Sequence, residues 1–206
     1  YTFGEHAPGF QDRSKGILAS HHLLLAHGTA VKELRIAVPD VKVGIVLNSS
    51  PIHNDPVSPV SEDQIRFMDG ELTRWFADPL HGLGYPKDIL EDYVRMGVLD
   101  SEEPDFIKQG DMDIISRETD LLGLNYYTRQ VLSSDPARNY DQKRDVPQTE
   151  MGWELYPEGL YELLERINRN YQPKQLMVTE NGASYSDGPD EYGRVQIGRA
   201  SCRERV

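Results

Sequence analysis

Three short apolar runs, each turning polar at its C-terminal end, constrain this chain more than any other feature. They are Val43-Gly44-Ile45-Val46-Leu47-Asn48, Asp120-Leu121-Leu122-Gly123-Leu124-Asn125-Tyr126-Tyr127-Thr128 and Leu176-Met177-Val178-Thr179-Glu180-Asn181-Gly182. Each is too short for a buried helix, and none alternates apolar with polar. They therefore read as buried strands of a parallel sheet covered on both faces.

The intervening segments have helical periodicity. Ser14 is placed to cap a helix running to about Val38, with Ile17, Leu18, Leu24, Leu25, Val31 and Leu34 on one face and Pro39 as its stop. Ser61 with Gln64 has the spacing of a capping box for a helix carrying Ile65, Phe67, Met68, Leu72, Trp75 and Phe76, stopped at Asp78-Pro79. A second short helix is expected over 88–96 and a helical turn over 112–116. Pro157 opens a helix with Leu160, Leu163, Leu164 and Ile167 on one side. Residues 51–59, 101–110 and 133–149 are Pro-rich, acidic and polar, and read as loops. Strands alternating with helices predict an α/β fold with parallel strands.

In barrel folds of this kind the C-terminal ends of the strands face the ligand. Asn48, Asn125 with Tyr127, and Glu180 would then line one rim suited to a sugar or another polar ligand, with Asn125 and Tyr127 alternating to the same face. On the residues alone Glu180 has two readings. It is either a substrate-facing carboxylate on a rigid element or a solvated glutamate beside an Asn-Gly turn. Trp153 is either an apolar platform for a ring or a core residue. Asn48-Ser49-Ser50 also fits a glycosylation sequon, the weaker reading at a strand end. His21, His22 and His27 lie one, five and six residues apart, not at the i, i+4 spacing of a metal pair on a helix, so packing or surface roles are expected. Gly82-Leu83-Gly84 follows a helix and lacks a third glycine, which excludes a dinucleotide loop.

The net charge of −12 argues against nucleic acid or an anionic membrane as partner. No run of 18 apolar residues is present to span a bilayer. The single Cys202 permits no internal disulfide. The length, 206 residues, suits one domain. The last ten residues, 197–206, differ from the rest: they carry three Arg and one Glu, and resemble the translation of a sequencing-library adapter through all ten codons. We expect a non-native tail there. Removing it takes the net charge from −12 to −14 and leaves no cysteine.

Taken in order, several stretches resemble one family. They are His6-Ala7-Pro8-Gly9, His22-Leu23-Leu24-Leu25-Ala26-His27, Gly44-Ile45-Val46-Leu47-Asn48, Trp75-Phe76-Ala77-Asp78-Pro79 with Gly84-Tyr85-Pro86, Asp120-Leu121-Leu122-Gly123-Leu124-Asn125-Tyr126-Tyr127, Met151-Gly152-Trp153-Glu154-Leu155-Tyr156-Pro157-Glu158-Gly159-Leu160, and Val178-Thr179-Glu180-Asn181-Gly182. Their order and spacing resemble glycoside hydrolase family 1, the β-glucosidase family.

The resemblance implies a TIM (β/α)8 barrel, of which residues 1–196 would be a partial glycosidase domain holding strands five to seven. The first four strands and the eighth would lie outside the chain. It implies retaining hydrolysis of terminal β-D-glucosyl residues through a covalent intermediate on Glu180, with the acid/base glutamate on a strand before Tyr1. Tyr127 would orient the nucleophile, Asn125 would line the sugar pocket, Trp153 would form the aglycone platform, and Asn48 would touch the aglycone. The alternatives are a 6-phospho-β-glucosidase of the same family and a non-catalytic sugar-binding relative. No metal or organic cofactor is implied. The expected partner is a small β-glucoside or oligosaccharide, with no nucleic acid and no membrane; the compartment is left open, with the cytoplasm favoured. The chain alone is expected to be inactive and to fold poorly, because three barrel strands expose sheet edges and apolar faces.

Overall fold

The first helix of the chain shows how local chemistry sets an element. In the computed structural model, which describes residues 1–138, 144–184, 188 and 191–193, α1 spans Arg13–Ala37. Its cap is Asp12 rather than Ser14: the Asp12 carboxylate accepts from the Lys15 backbone N–H at 3.2 Å and from Ser14 Oγ at 2.7 Å. Both residues are good caps, but only the extended backbone of Asp12 aims its side chain at the first free N–H groups.

The remaining elements follow in order: β1 Gly44–Asn48, β2 Ile52–Asn54, α2 Glu62–Asp69, a π-helical segment Gly70–Arg74, α3 Trp75–Leu80, α4 Lys87–Arg95, α5 Asp111–Ile115, β3 Leu121–Asn125, β4 Gln130–Leu132, a 3₁₀ turn Pro136–Arg138, α6 Glu158–Tyr171 and β5 Leu176–Glu180. The capping box forms as expected, with Gln64 N–H donating to Ser61 Oγ at 3.3 Å and Ser61 N–H donating to Gln64 Oε1 at 3.2 Å. Pro79 does not stop its helix where expected. It sits in the last turn of α3, which closes at His81, whose N–H donates to Ala77 and Asp78 carbonyls.

By chain contacts there are two compact units, Tyr1–Ile45 with Gly70–Leu121 and Val46–Asp69 with Leu122–Val206. In the first, Ile17, Leu24 and Val31 form the buried stripe of α1, and Trp75, Ala77, Ile89, Tyr93 and Ile115 are among the other residues of its core. Trp75 stacks on Tyr85 with ring centroids 4.2 Å apart and donates from Nε1 to Ser20 Oγ at 2.8 Å.

His21 is fully buried in this unit, as the packed reading of the three histidines anticipated. Its Nε2 lies 3.1 Å from Asp111 Oδ2 and its Nδ1 2.9 Å from Tyr85 Oη. A carboxylate only accepts, so the ring proton sits on Nε2 and the Tyr85 hydroxyl donates to Nδ1. Desolvation by burial pulls the His21 pKa below its ordinary value, against the opposing pull of Asp111. His27 is shifted the same way by burial alone. For a histidine depressed in the fold, its contribution to stability is complete above the unfolded pKa of about 6.5 and is lost as pH falls below it. The expected result is a urea midpoint that declines on acidification below about pH 6.5. His21→Gln should flatten part of that decline, and an unchanged slope would count against the assignment.

The second unit carries most of a sheet of strand order β1–β3–β5, in which β3 and β5 run parallel. Gly123 sits at its centre. A Cβ there would fall 2.7 Å from Thr179 Cγ2 and 2.9 Å from Val46 Cγ2, so the central strand needs glycine for its neighbours to close on both sides. The strand ends behave as the sequence implied: β1 ends on Asn48, β3 on Asn125 and β5 on Glu180.

Burial departs from expectation. Met177 and Val178 on β5 are 40% and 39% exposed, and Val46 on β1 is 48% exposed. The apolar composition records the surroundings a strand is built for. Here β5 is an edge strand with β3 on one side only among the described residues. Two further strands, β2 and β4, pair in parallel as Ile52↔Gln130, His53↔Val131 and Asn54↔Leu132. Three residues each, they are too short to produce a period, and the sequence reading placed β2 in a loop. The adapter-like segment 197–206 lies outside the described residues. Among the described residues no helix is long and apolar enough to cross a membrane.

Candidate functional site

The site is built where β3 and β5 end. Register runs Leu122↔Leu176, Gly123↔Met177 and Leu124↔Val178, then slips so that Asn125 faces Glu180. Thr179 is thus the extra residue of a bulge, a device that re-aims side chains at a strand terminus. The slip is held by backbone: Tyr126 N–H donates to the Glu180 carbonyl at 3.0 Å, and Asn181 Nδ2 donates to the Tyr126 carbonyl at 2.8 Å. On the other side Ser49 N–H donates to the Asn125 carbonyl at 3.2 Å, which brings the end of β1 to the same rim.

Two consecutive residues of β5 meet two different partners there. Thr179 Oγ1 donates to Asn125 Oδ1 at 2.7 Å, and the Tyr127 hydroxyl donates to Glu180 Oε2. The hydrogen bond to Glu180 raises the Tyr127 pKa above its ordinary value, so at neutral pH the phenol keeps its proton and remains a donor. Glu180 itself is exposed.

Trp153 is the third member. Its ring lies 5.7 Å from that of Tyr127, inclined at 56°, and the residue is 38% exposed. Asn48 is exposed at the end of β1, and no hydrogen bond ties it to Glu180, Tyr127 or Trp153. The structure therefore brings Glu180, Tyr127, Asn125 and Trp153 together and leaves Asn48 at the rim. Among the described residues no group of three or more His, Cys, Asp or Glu side chains could hold a metal ion.

Behind the rim lies a polar cluster that the sequence reading missed. Arg129 Nε and Nη2 donate to Glu154 Oε2 and Oε1 at 2.9 and 2.8 Å, and Arg144 Nη2 donates to Glu154 Oε2 at 2.9 Å. Arg129 also lies over the Tyr156 ring at 3.9 Å. Its Nη1 is 2.9 Å from His53 Nδ1, and His53 Nε2 is 2.9 Å from Glu162 Oε2. Since a guanidinium only donates, His53 Nδ1 accepts and its proton lies on Nε2, facing Glu162. The only local hint was position, because Arg129 follows Tyr127 by two and Glu154 follows Trp153 by one.

Comparison with known proteins bears on this geometry. The chain is 38% identical over 202 residues to a protein named beta-glucosidase A from Thermotoga maritima, covering 95% of this chain and 43% of that relative. A solved family 1 β-glucosidase from Thermotoga maritima superposes with a TM-score of 0.76 at 35% identity, over 97% of this chain and 43% of its own. A structure of a β-glucosidase from that organism in complex with deoxynojirimycin superposes with a TM-score of 0.75 at 35% identity, over 95% of this chain and 42% of its own. The chain thus spans less than half the length of these relatives, and its α/β arrangement is part of a (β/α)8 barrel. With the family model for glycosyl hydrolase family 1 matching residues 1–198, this chain belongs to that family.

Proposed function

We propose that the protein carrying this chain is a retaining β-glucosidase in which Glu180 is the nucleophile. The observation that carries this reading is the Tyr127 hydroxyl donating to Glu180 Oε2 at the open end of β5. Glu180 attacks the anomeric carbon as the glycosidic bond breaks, giving a glycosyl-enzyme that water then hydrolyses. A second carboxyl group, placed by the family resemblance on a strand before Tyr1, protonates the leaving oxygen and later takes the proton from water. Retention requires the two carboxyl groups to stand only ~5 Å apart. Tyr127 keeps the attacking oxygen on its line, Asn125 meets the sugar hydroxyls, Trp153 carries the leaving group, and Asn48 touches it at the rim. The relatives named β-glucosidase, one of them in complex with deoxynojirimycin, support a small sugar ligand.

A 2-deoxy-2-fluoro-β-glucoside tests the reading, because fluorine slows the second step and traps the covalent adduct. Mass spectrometry of the full-length protein should find the added sugar on the peptide bearing Glu180. Labelling at another residue, or no labelling beside a competent turnover of β-glucosides, would overturn it. A phosphorylated substrate preferred to the free glucoside would shift the reading to a 6-phospho-β-glucosidase.

Two further outcomes follow. Tyr127→Phe removes the hydrogen bond that orients the attacking carboxylate, so kcat/KM should fall roughly ten- to hundredfold with the fold unchanged. A loss below twofold would mean that Glu180 needs no orienting donor. Residues 1–206 alone should not release the chromophore from an aryl β-glucoside, because the second carboxyl group is absent on this reading.

A further inference from the structure

Three consecutive residues after β3 are tied to two consecutive residues before α6. The Tyr127 ring lies against the Trp153 ring at 5.7 Å. Thr128 Oγ1 donates to the Glu154 carbonyl at 2.9 Å. Arg129 makes the two-pronged pair with the Glu154 carboxylate. The loop carrying Trp153 is closed on itself as well: Thr149 N–H donates to the Trp153 carbonyl at 2.8 Å, and Trp153 N–H donates to Thr149 Oγ1 at 3.3 Å.

Glu154 is only 4% exposed. Buried ion clusters add little net stability over apolar residues of the same volume, because desolvating the charges offsets their attraction. What a forked guanidinium on a carboxylate does supply is orientation, since the two parallel hydrogen bonds fix both groups in one plane. The plane fixed here belongs to the residue next to Trp153.

We propose that Glu154, held by Arg129 and Arg144, is a positioning residue that sets the Trp153 platform against Tyr127 and thereby governs recognition of the leaving-group side of the substrate. This rests on the β-glucosidase reading above. A leaving group large enough to lie on Trp153 feels the placement of that ring, and a leaving group of one atom does not.

The test compares two substrates that form the same glycosyl-enzyme: cellobiose, whose leaving sugar would lie on the platform, and β-glucosyl fluoride, whose leaving group is a single fluoride ion. In the full-length enzyme Glu154→Gln keeps the side-chain shape and removes the charge. The expected result is a rise in KM for cellobiose that lowers kcat/KM about ten- to hundredfold, the scale of an ångström-sized misplacement. For the fluoride, kcat/KM should stay within about twofold. Arg129→Lys keeps the cation but loses the fork, and should give the same split; it decides the matter if Glu154→Gln does not fold. Equal losses on both substrates, or no loss on either, overturn the proposal. Failure of the underlying reading looks different: the parent enzyme would then hydrolyse neither substrate, and the fluoroglucoside would leave Glu180 unlabelled.

Discussion

Glu180→Gln in the full-length enzyme should lower kcat/KM for an aryl β-glucoside by on the order of 10⁴-fold or more, the scale on which enzymes lose activity when a residue of the reacting constellation is removed. The amide is nearly isosteric with the carboxylate and can still accept from the Tyr127 hydroxyl, so the strand end has no reason to rearrange. On the proposed reading, what is lost is the nucleophile. An amide carries no negative charge to attack the anomeric carbon, and the covalent path closes. The test is a progress curve together with trapping. The variant should neither turn over nor take up the fluoroglucoside label, while its unfolding midpoint stays close to the parent's. Because Glu180 is exposed at the sheet rim, its substitution leaves no buried partner stranded. A variant retaining a tenth of the parental rate would reassign the nucleophile, and Tyr127 would then be bonding to a bystander.

Gly28→Ala should be the most damaging small change in the first compact unit, destabilising it by about 3 kcal/mol or more. Two effects oppose each other. Alanine is the better helix residue by about 1 kcal/mol, and Gly28 lies in the interior of α1, so propensity alone predicts a gain. Yet a Cβ at this position would fall 1.9 Å from the Ile114 carbonyl oxygen and 2.6 Å from its carbon. Those are backbone atoms of α5, and no rotamer change moves them aside. The two helices must separate, which also opens the His21–Asp111 contact and the hydrogen bond from Arg117 Nη1 to the Gly28 carbonyl at 2.7 Å. The steric cost exceeds the propensity gain several times over. Urea unfolding of the full-length protein reads the outcome. An unchanged or raised midpoint would show that α1 and α5 do not meet at Gly28.

The amino-acid sequence by itself determined what depends on near neighbours. The three strands, the polar residue ending each, the Ser61–Gln64 box and the helix over 158–171 all follow from propensity and patterning within a few residues. The placement of Glu180 at a strand end belongs here too, because Val178 and Thr179 are strand formers and Asn181-Gly182 is a turn signal. The family resemblance added the expected company of Tyr127, Asn125 and Trp153. The bulge at Thr179 escaped, since register is a property of two strands, not of one. So did the pairing of β2 with β4, which lie about 78 residues apart.

Tertiary structure alone decided the rest. His21 looks like its neighbour His22 in sequence, yet only one is buried against Asp111, 90 residues along the chain. Glu154 sits among many surface glutamates in an acidic chain, and nothing local says that it is desolvated between Arg129 and Arg144. The exposure of Met177 and Val178 runs the other way: their composition asks for cover, and the described residues supply it on one edge only. Burial, ion pairing and close approach are set by what arrives from elsewhere in the chain, and a local pattern holds no record of it.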